Sequence, residues 1–406
     1  MPPKASLETR KRIYQSLCYV LSDRADQVAW DEYTPADWDL FAQMADREGV
    51  APLMYWKLKD SPVAVPLSTF NLLRSTYYQT LAQNTLMYQE LERILTALDE
   101  AGIAVIVLKG AALAATVYED IGLRPMGDLD LLVREEEFQE ALDVLLSIGY
   151  MQEPMPHQEF NRQIGYNVHL WRESNPILKV ELHWLLVAGG DVWFGSSMEW
   201  LSDATGGWES RVDRLLYRDF NNVLELSFEA SLLYMSAHLM LQHGLEQARL
   251  LWFFDIHQLI GHAATRANWE KLVEHAQGSQ WTSALRATLT QTHLLLETTL
   301  PEEVISDLSQ RESLSSKDEG LFQNQASRVR TKAADVWGVS SFLKPGKRMK
   351  YAINMVIPSP QYMRWRYNPR PVWIWPLCYP YRWVRMMREA LLTLSKLLLP
   401  NRVDWR

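Results

Sequence analysis

The chain has 406 residues, 48 % of them apolar and 22 % charged, with a net charge of −8. That is room for two or three domains with an ample core, in the balance of an ordinary soluble globular protein. Two cysteines, Cys18 and Cys378, give no zinc site and no redox pair, and reduced thiols suit a cytoplasmic protein. The N-terminus lacks the apolar stretch of a secretory leader, and no window of about 18 apolar residues crosses a membrane.

The charge is uneven. Residues 344–406 hold 13 Lys or Arg against Glu389 and Asp404, a net +11, which leaves −19 on the rest. The acidic body counts against a large nucleic-acid interface, so no specific nucleic acid is expected as partner.

In chain order, residues 5–21 read as an amphipathic helix, 35–58 as two short helices broken at Gly49, and 68–100 as one long helix. Ile103 to Leu108 is short and β-branched and stops before Lys109-Gly110, which predicts a buried strand. A glycine there allows a sharp turn into a helix, whose first N–H groups attract anions. Leu129 to Val133 is a second strand-like run. It puts Asp128, Asp130 and Leu132 on one face, because positions two apart in a strand share a side. Two carboxylates so placed repel each other unless a cation lies between them. Glu135 to Ser147 reads as a helix. Gln163–Trp171 and Ile177–Trp184 read as a hairpin about the turn at 173–176. The second of these strands carries Lys179, Glu181 and His183 on one face.

Residues 187–212 look loop-rich, with Gly189-Gly190 and Gly206-Gly207. Phe228–Ile260 and Trp269–Glu297 read as helices, and 301–340 is polar and helix-prone. Residues 351–384 interleave nine Trp or Tyr with six prolines and several arginines, and Met386–Leu399 reads as a short helix. Such a tail suits packing on the acidic body, with weak contact at a membrane surface or base stacking as the rivals.

Taken together, the LKG, RPMGDLDLLV and VELHW motifs resemble the uncharacterised nucleotidyltransferase family of the polymerase-β-like superfamily. The likeness extends loosely over the helical lead and over the segment with His238, His243, Arg249 and Asp255. It implies an α/β (α+β) fold: a small mixed sheet with helices on one face, a helical N-terminal lead and a helical C-terminal domain. The expected units are 1–100 (helical lead), 101–186 (nucleotidyltransferase core), 187–340 (mainly helical) and 341–406 (basic aromatic tail). The implied activity is transfer of a nucleoside monophosphate from a nucleoside triphosphate to an unidentified hydroxyl or phosphate acceptor, with pyrophosphate release. The rival reading is a catalytically inactive member that binds a nucleotide or a protein.

By position, Asp128, Asp130 and Glu181 match the carboxylates that hold two Mg²⁺, with Mn²⁺ as substitute. Asp130 would bridge the ions, with Asp128 on the nucleotide side and Glu181 on the acceptor side. Gly110 matches the phosphate-binding turn, reading Gly110-Ala111 where Gly-Ser or Gly-Gly is usual. Lys109 and Arg124 are candidate phosphate contacts, Arg124 having Glu119 or Asp120 as alternative partners. His183 could orient Glu181 or act as an acid–base group. His238 and His243, five apart, fit one helical face poorly. Arg249 and Asp255 are read either as an ion pair or as facing the nucleotide.

Overall fold

Short polar caps start the helices of the lead. Ser6 accepts from the Thr9 N–H to open α1 (Leu7–Leu21). Thr34 and Asp37 form a reciprocal capping box at α2 (Pro35–Arg47). Gly49, with φ 76°, turns the chain into α3 (Ala51–Leu58). These features come from a computed structural model, which describes residues 6–155, 165–174, 177–187, 223–224, 226–245, 247–263, 267–313, 349 and 353–398.

The long helix is α4 (Leu67–Glu100), free of Gly and Pro throughout. Its first half buries Leu73 and Tyr77 among the lead helices. Its second half buries Leu91, Ile94, Leu95 and Leu98 against the sheet. Gly102, with φ 73°, ends it, and the Ile103 N–H closes back onto the Leu98 carbonyl.

Six strands follow: β1 (Val105–Leu108), β2 (Leu129–Val133), β3 (Met151–Gln152), β4 (Asn167–Arg172), β5 (Leu178–His183) and β6 (Val223–Leu224). They form one mixed sheet in the order β3-β4-β5-β2-β1-β6. β2 lies antiparallel to β1 and parallel to β5. Every residue of β1 and β2 is buried; β1 is an unbroken apolar run, and β2 is apolar except for Asp130. Between them lies α5 (Lys109–Thr116), and after β2 comes α6 (Phe138–Ser147). Glu135 to Glu137, expected in that helix, form the turn before it.

Alternation divides the sheet into two faces. Val105, Val107, Leu129, Leu131, Val180 and Leu182 pack with α6 and the end of α4. Ile106, Leu108 and Leu132 face a second, larger core. That core joins the lead helices to α7 (Phe228–Ala237), α8 (Leu250–Ala263), α9 (Trp269–Gly278), α10 (Thr282–Leu296) and α11 (Glu302–Ser313). Asp130, Glu181 and His183 belong to this second face.

The structure corrects several element boundaries. Phe228–Ile260 is not one helix: a π-helical turn, His238–His243, and Gly244 with φ 72° separate α7 from α8. Gln280, with φ 59°, divides α9 from α10. In the tail, α12 (Pro360–Tyr367) and a 3₁₀ segment (Val372–Leu377) precede α13 (Cys378–Leu398). α13 starts well before Met386 because Pro380 lies in its first turn, where no intrahelical N–H is needed. The expected loop at 188–212, residues 163–164 and 175–176, residues 314–340 and Leu399 lie outside the described residues.

Candidate active site

Two strands set the geometry. β2 and β5 run parallel with Asp130 paired to Glu181, so both carboxylates leave the same face on the same rung. Two residues on, His183 shares that face. Its Nε2 lies 3.0 Å from Asp130 Oδ1 and 3.5 Å from Glu181 Oε2. Ligand atoms of Asp130, Glu181 and His183 all fall within 4.8 Å of one another. Asp128 precedes them at the mouth of β2 and is half-buried, outside this tight group.

Neighbours fix both acids. Lys109 Nζ donates to Asp130 Oδ1 at 2.8 Å. On β4, His169 lies opposite Glu181, with its Nδ1 3.2 Å from Oε1, and Asn167 Nδ2 donates to Oε2 at 2.8 Å. Asn167 and His169 were not among the expected site residues. The signal was available: in the expected hairpin the two are i and i+2 on one strand beside Glu181.

The charges respond in opposite directions. Burial opposes ionisation of Asp130, but Lys109 and His183 outweigh it and hold the carboxyl below its usual range. Glu181 is likewise held low against burial, by His169, His183 and Lys109. In return, its bond to Glu181 raises His169. Asp128 goes the other way: burial, then repulsion from Asp130 and Glu181, pushes it up to about 6. Burial works against the charge on Lys109, yet Tyr234, Asp130 and Glu181 keep it above the ordinary lysine range.

The sharp bend expected at Gly110 falls on Lys109 instead, with φ 47°, a left-handed conformation unusual for a lysine. Gly110 is needed for space. A Cβ there would sit 2.3 Å from Arg124 Nη1 and 3.2 Å from Met126 Cγ. Arg124 is neither paired with Glu119 or Asp120 nor extended toward the acids. It is buried in a two-pronged ion pair with Asp255 of α8, Nε to Oδ1 at 3.0 Å and Nη2 to Oδ2 at 2.8 Å. Tyr118 donates to the same Oδ1 at 2.6 Å. The alternative pairing of Asp255 with Arg249 is thereby corrected. Arg249 lies over the Trp252 ring, 6.0 Å from its centroid.

The segment leading to Asp128 is clamped from α4. Asn84 donates to the carbonyls of Ile121 and Arg124 at 2.5 and 2.8 Å, and Gln83 to that of Met126 at 2.9 Å.

Across the site, α7 presents Tyr234, a buried hydroxyl with no hydrogen-bond partner among the described residues. The π-helical turn removes the spacing objection to the histidines. With an i to i+5 repeat, His238 and His243 meet edge to face, ring centroids 4.7 Å apart. Burial, then Lys109, His243 and His183, hold His238 well below the ordinary histidine value. It stays neutral at pH 7 within the field of the site.

Two carboxylates and an imidazole converge here, Asp130 and His183 buried and Glu181 half-buried, and together they could hold a divalent cation. No curated protein matches the chain. The family described as uncharacterised nucleotidyltransferase matches residues 34–297, from the Thr34 cap of α2 to the Glu297 cap of α10. That span takes in the sheet, most of the second core and the Asp130–Glu181 rung, well over half of the sequence, and the chain belongs to this family of uncharacterised nucleotidyltransferases.

Proposed function

We propose that the chain transfers a nucleoside monophosphate from a nucleoside triphosphate to a hydroxyl or phosphate oxygen on an acceptor. The acceptor oxygen bonds to the α-phosphorus, the bond to the β-phosphate breaks, and pyrophosphate leaves. The observation that carries this reading is the Asp130–Glu181 pair on one rung of β2 and β5, with His183 bridging them.

Asp130, Glu181 and His183, with Asp128 beside them, would hold a divalent cation such as Mg²⁺ or Mn²⁺. When bound, it would offset charge on the triphosphate and ease ionisation of the acceptor hydroxyl. Lys109 supplies a fixed positive charge at the same place, within reach of a phosphate oxygen once it leaves Asp130. Asn167 and His169 keep Glu181 in position from the neighbouring strand. Tyr234 lines the opposite wall and has a hydroxyl proton to donate.

The test is transfer of label from each α-labelled triphosphate into acceptors of a cell extract. Asp130→Asn and Glu181→Gln should each lower transfer on the order of 100-fold, as loss of electrostatic stabilisation does, with folded structure retained by circular dichroism. Label transfer equal to wild type in both variants would overturn the reading.

The Lys109–Asp130 contact favours one rival, a member that binds nucleotide without reacting. A lysine fixed on Asp130 would neutralise the carboxylate that a cation needs. Lys109→Met separates the two. It weakens transfer in a working enzyme, and in a binding protein it strengthens Mn²⁺ binding with no transfer at all.

A further inference from the structure

We propose that the C-terminal segment docks the protein on an anionic bilayer surface. The inference is independent of the transferase reading, and the segment lies beyond residues 34–297.

The segment is stapled to itself. Tyr379 Oη donates to the Pro358 carbonyl at 2.6 Å, Trp383 Nε1 to that of Val356 at 2.8 Å, and Arg382 Nη2 to that of Met355 at 2.9 Å. Arg364 lies over the Trp375 ring, 5.4 Å from its centroid. These bonds use up backbone carbonyls and inner aromatic rings, and they leave an apolar outer surface. Trp373, Leu377, Tyr381, Val384, Met387 and Leu391 are each between 60 and 76 % exposed. In α13, Tyr381, Val384, Met387 and Leu391 recur at steps of three, three and four, so they form one stripe along the helix. Among the described residues nothing covers this stripe.

Charge identifies the occupant. Arg388 and Arg385 run along one edge of the stripe, Arg385 in a surface ion pair with Glu389 at 3.0 Å, and Arg364, Arg366 and Arg370 are exposed on the preceding elements. Residues 344–406 carry 13 basic and two acidic side chains. Arginine, tryptophan and tyrosine each place an apolar body and a polar tip, as the headgroup boundary requires. Among the described residues no helix is long and apolar enough to cross a membrane. The helix would therefore lie in the interface plane, apolar stripe down, with arginines on lipid phosphates and carboxylates.

The experiment is sedimentation of the full chain with phosphatidylcholine vesicles, with and without phosphatidylserine. Wild type should pellet with the mixed vesicles, much less with phosphatidylcholine alone, and release as salt is raised. Val384→Glu, Met387→Glu and Leu391→Glu combined should weaken partition at least about tenfold, since each lies outside both cores and the fold is kept. Arg385→Ala with Arg388→Ala should also weaken it and flatten the salt dependence. Three results would overturn the proposal. The first is wild type that fails to pellet with mixed vesicles at any salt. The second is a glutamate variant that pellets as wild type does. The third is a wild-type dimer in sedimentation equilibrium that the glutamates dissociate, with no vesicle binding, which would assign the stripe to a second copy of the chain.

Discussion

Asp128 differs from the acids beside it in the sign of its shift, and this separates their effects on stability. Its folded value, about 6, lies above the unfolded one, so the folded state holds the proton longer. Between about pH 4 and 6 the folded form binds more protons at this group, and stability falls as pH rises through that window. Asp130 and Glu181 are shifted down, so their contribution is present above the ordinary carboxylate range and is lost on acidification below it. Asp128→Asn should therefore raise stability at pH 7 relative to wild type and have little effect at pH 4. Urea titrations at the two pH values check this, and an equal change at both would show that Asp128 ionises normally. His183 makes a second residue-level difference. An imidazole among the donors suits Mn²⁺ better than Mg²⁺, which prefers oxygen ligands throughout. Calorimetry should show tighter Mn²⁺ binding, and His183→Asn should narrow the gap; an unchanged ratio would place His183 outside the donor set.

At the scale of elements, the site is built by strand register together with a clamp from α4. Asn84 is fully buried, and its amide holds the carbonyls of Ile121 and Arg124. Asn84→Ala would strand both acceptors and should cost about 1–3 kcal/mol in urea unfolding. The strain would reach Asp128 through the loop, so Mn²⁺ affinity should drop as well; stability loss with unchanged affinity would confine the clamp to folding. Much of this arrangement was legible in the sequence. β1 stood out as a short β-branched run that stops at Lys109-Gly110, β2 as an alternating run, and the faces of Asp130, Glu181 and His183 follow from a period of two. What was not legible depends on contacts between distant segments. β3 and β6, two residues each, have no periodicity to read and exist through pairing with β4 and β1. The π-helical turn looks like ordinary helix in composition, so His238 and His243 seemed badly spaced until the i to i+5 repeat was seen. Gly110 was visible as a special position, but its reason, the Arg124 guanidinium lying against its Cα, needed the fold.

For the whole molecule, the Arg124–Asp255 pair is the polar link between the loop that feeds β2 and the helical layer over the sheet. Both side chains are buried, and Tyr118 adds a third group to the same carboxylate. A buried charge without its partner is costly, whereas an apolar replacement of both partners is often neutral. Asp255→Leu alone should therefore destabilise the protein by roughly 3–5 kcal/mol, leaving a guanidinium and the Tyr118 hydroxyl without their acceptor. Arg124→Met with Asp255→Leu and Tyr118→Phe should recover most of that loss. Gly110 gives an independent check, because the Cβ of Gly110→Ala reaches Arg124 Nη1 and should cost about 1–3 kcal/mol in the wild-type background. In the Arg124→Met background the cost should shrink, since a thioether end has no ion pair to hold it in place. Chemical denaturation of these variants as a cycle measures the coupling. A triple variant as unstable as Asp255→Leu alone would overturn this and show that the polar group itself holds the layers together, whereas recovery shows that they do not need the pair. The helical layer would then be held by its apolar core alone, with Leu108, Leu113 and Leu132 carrying the contact.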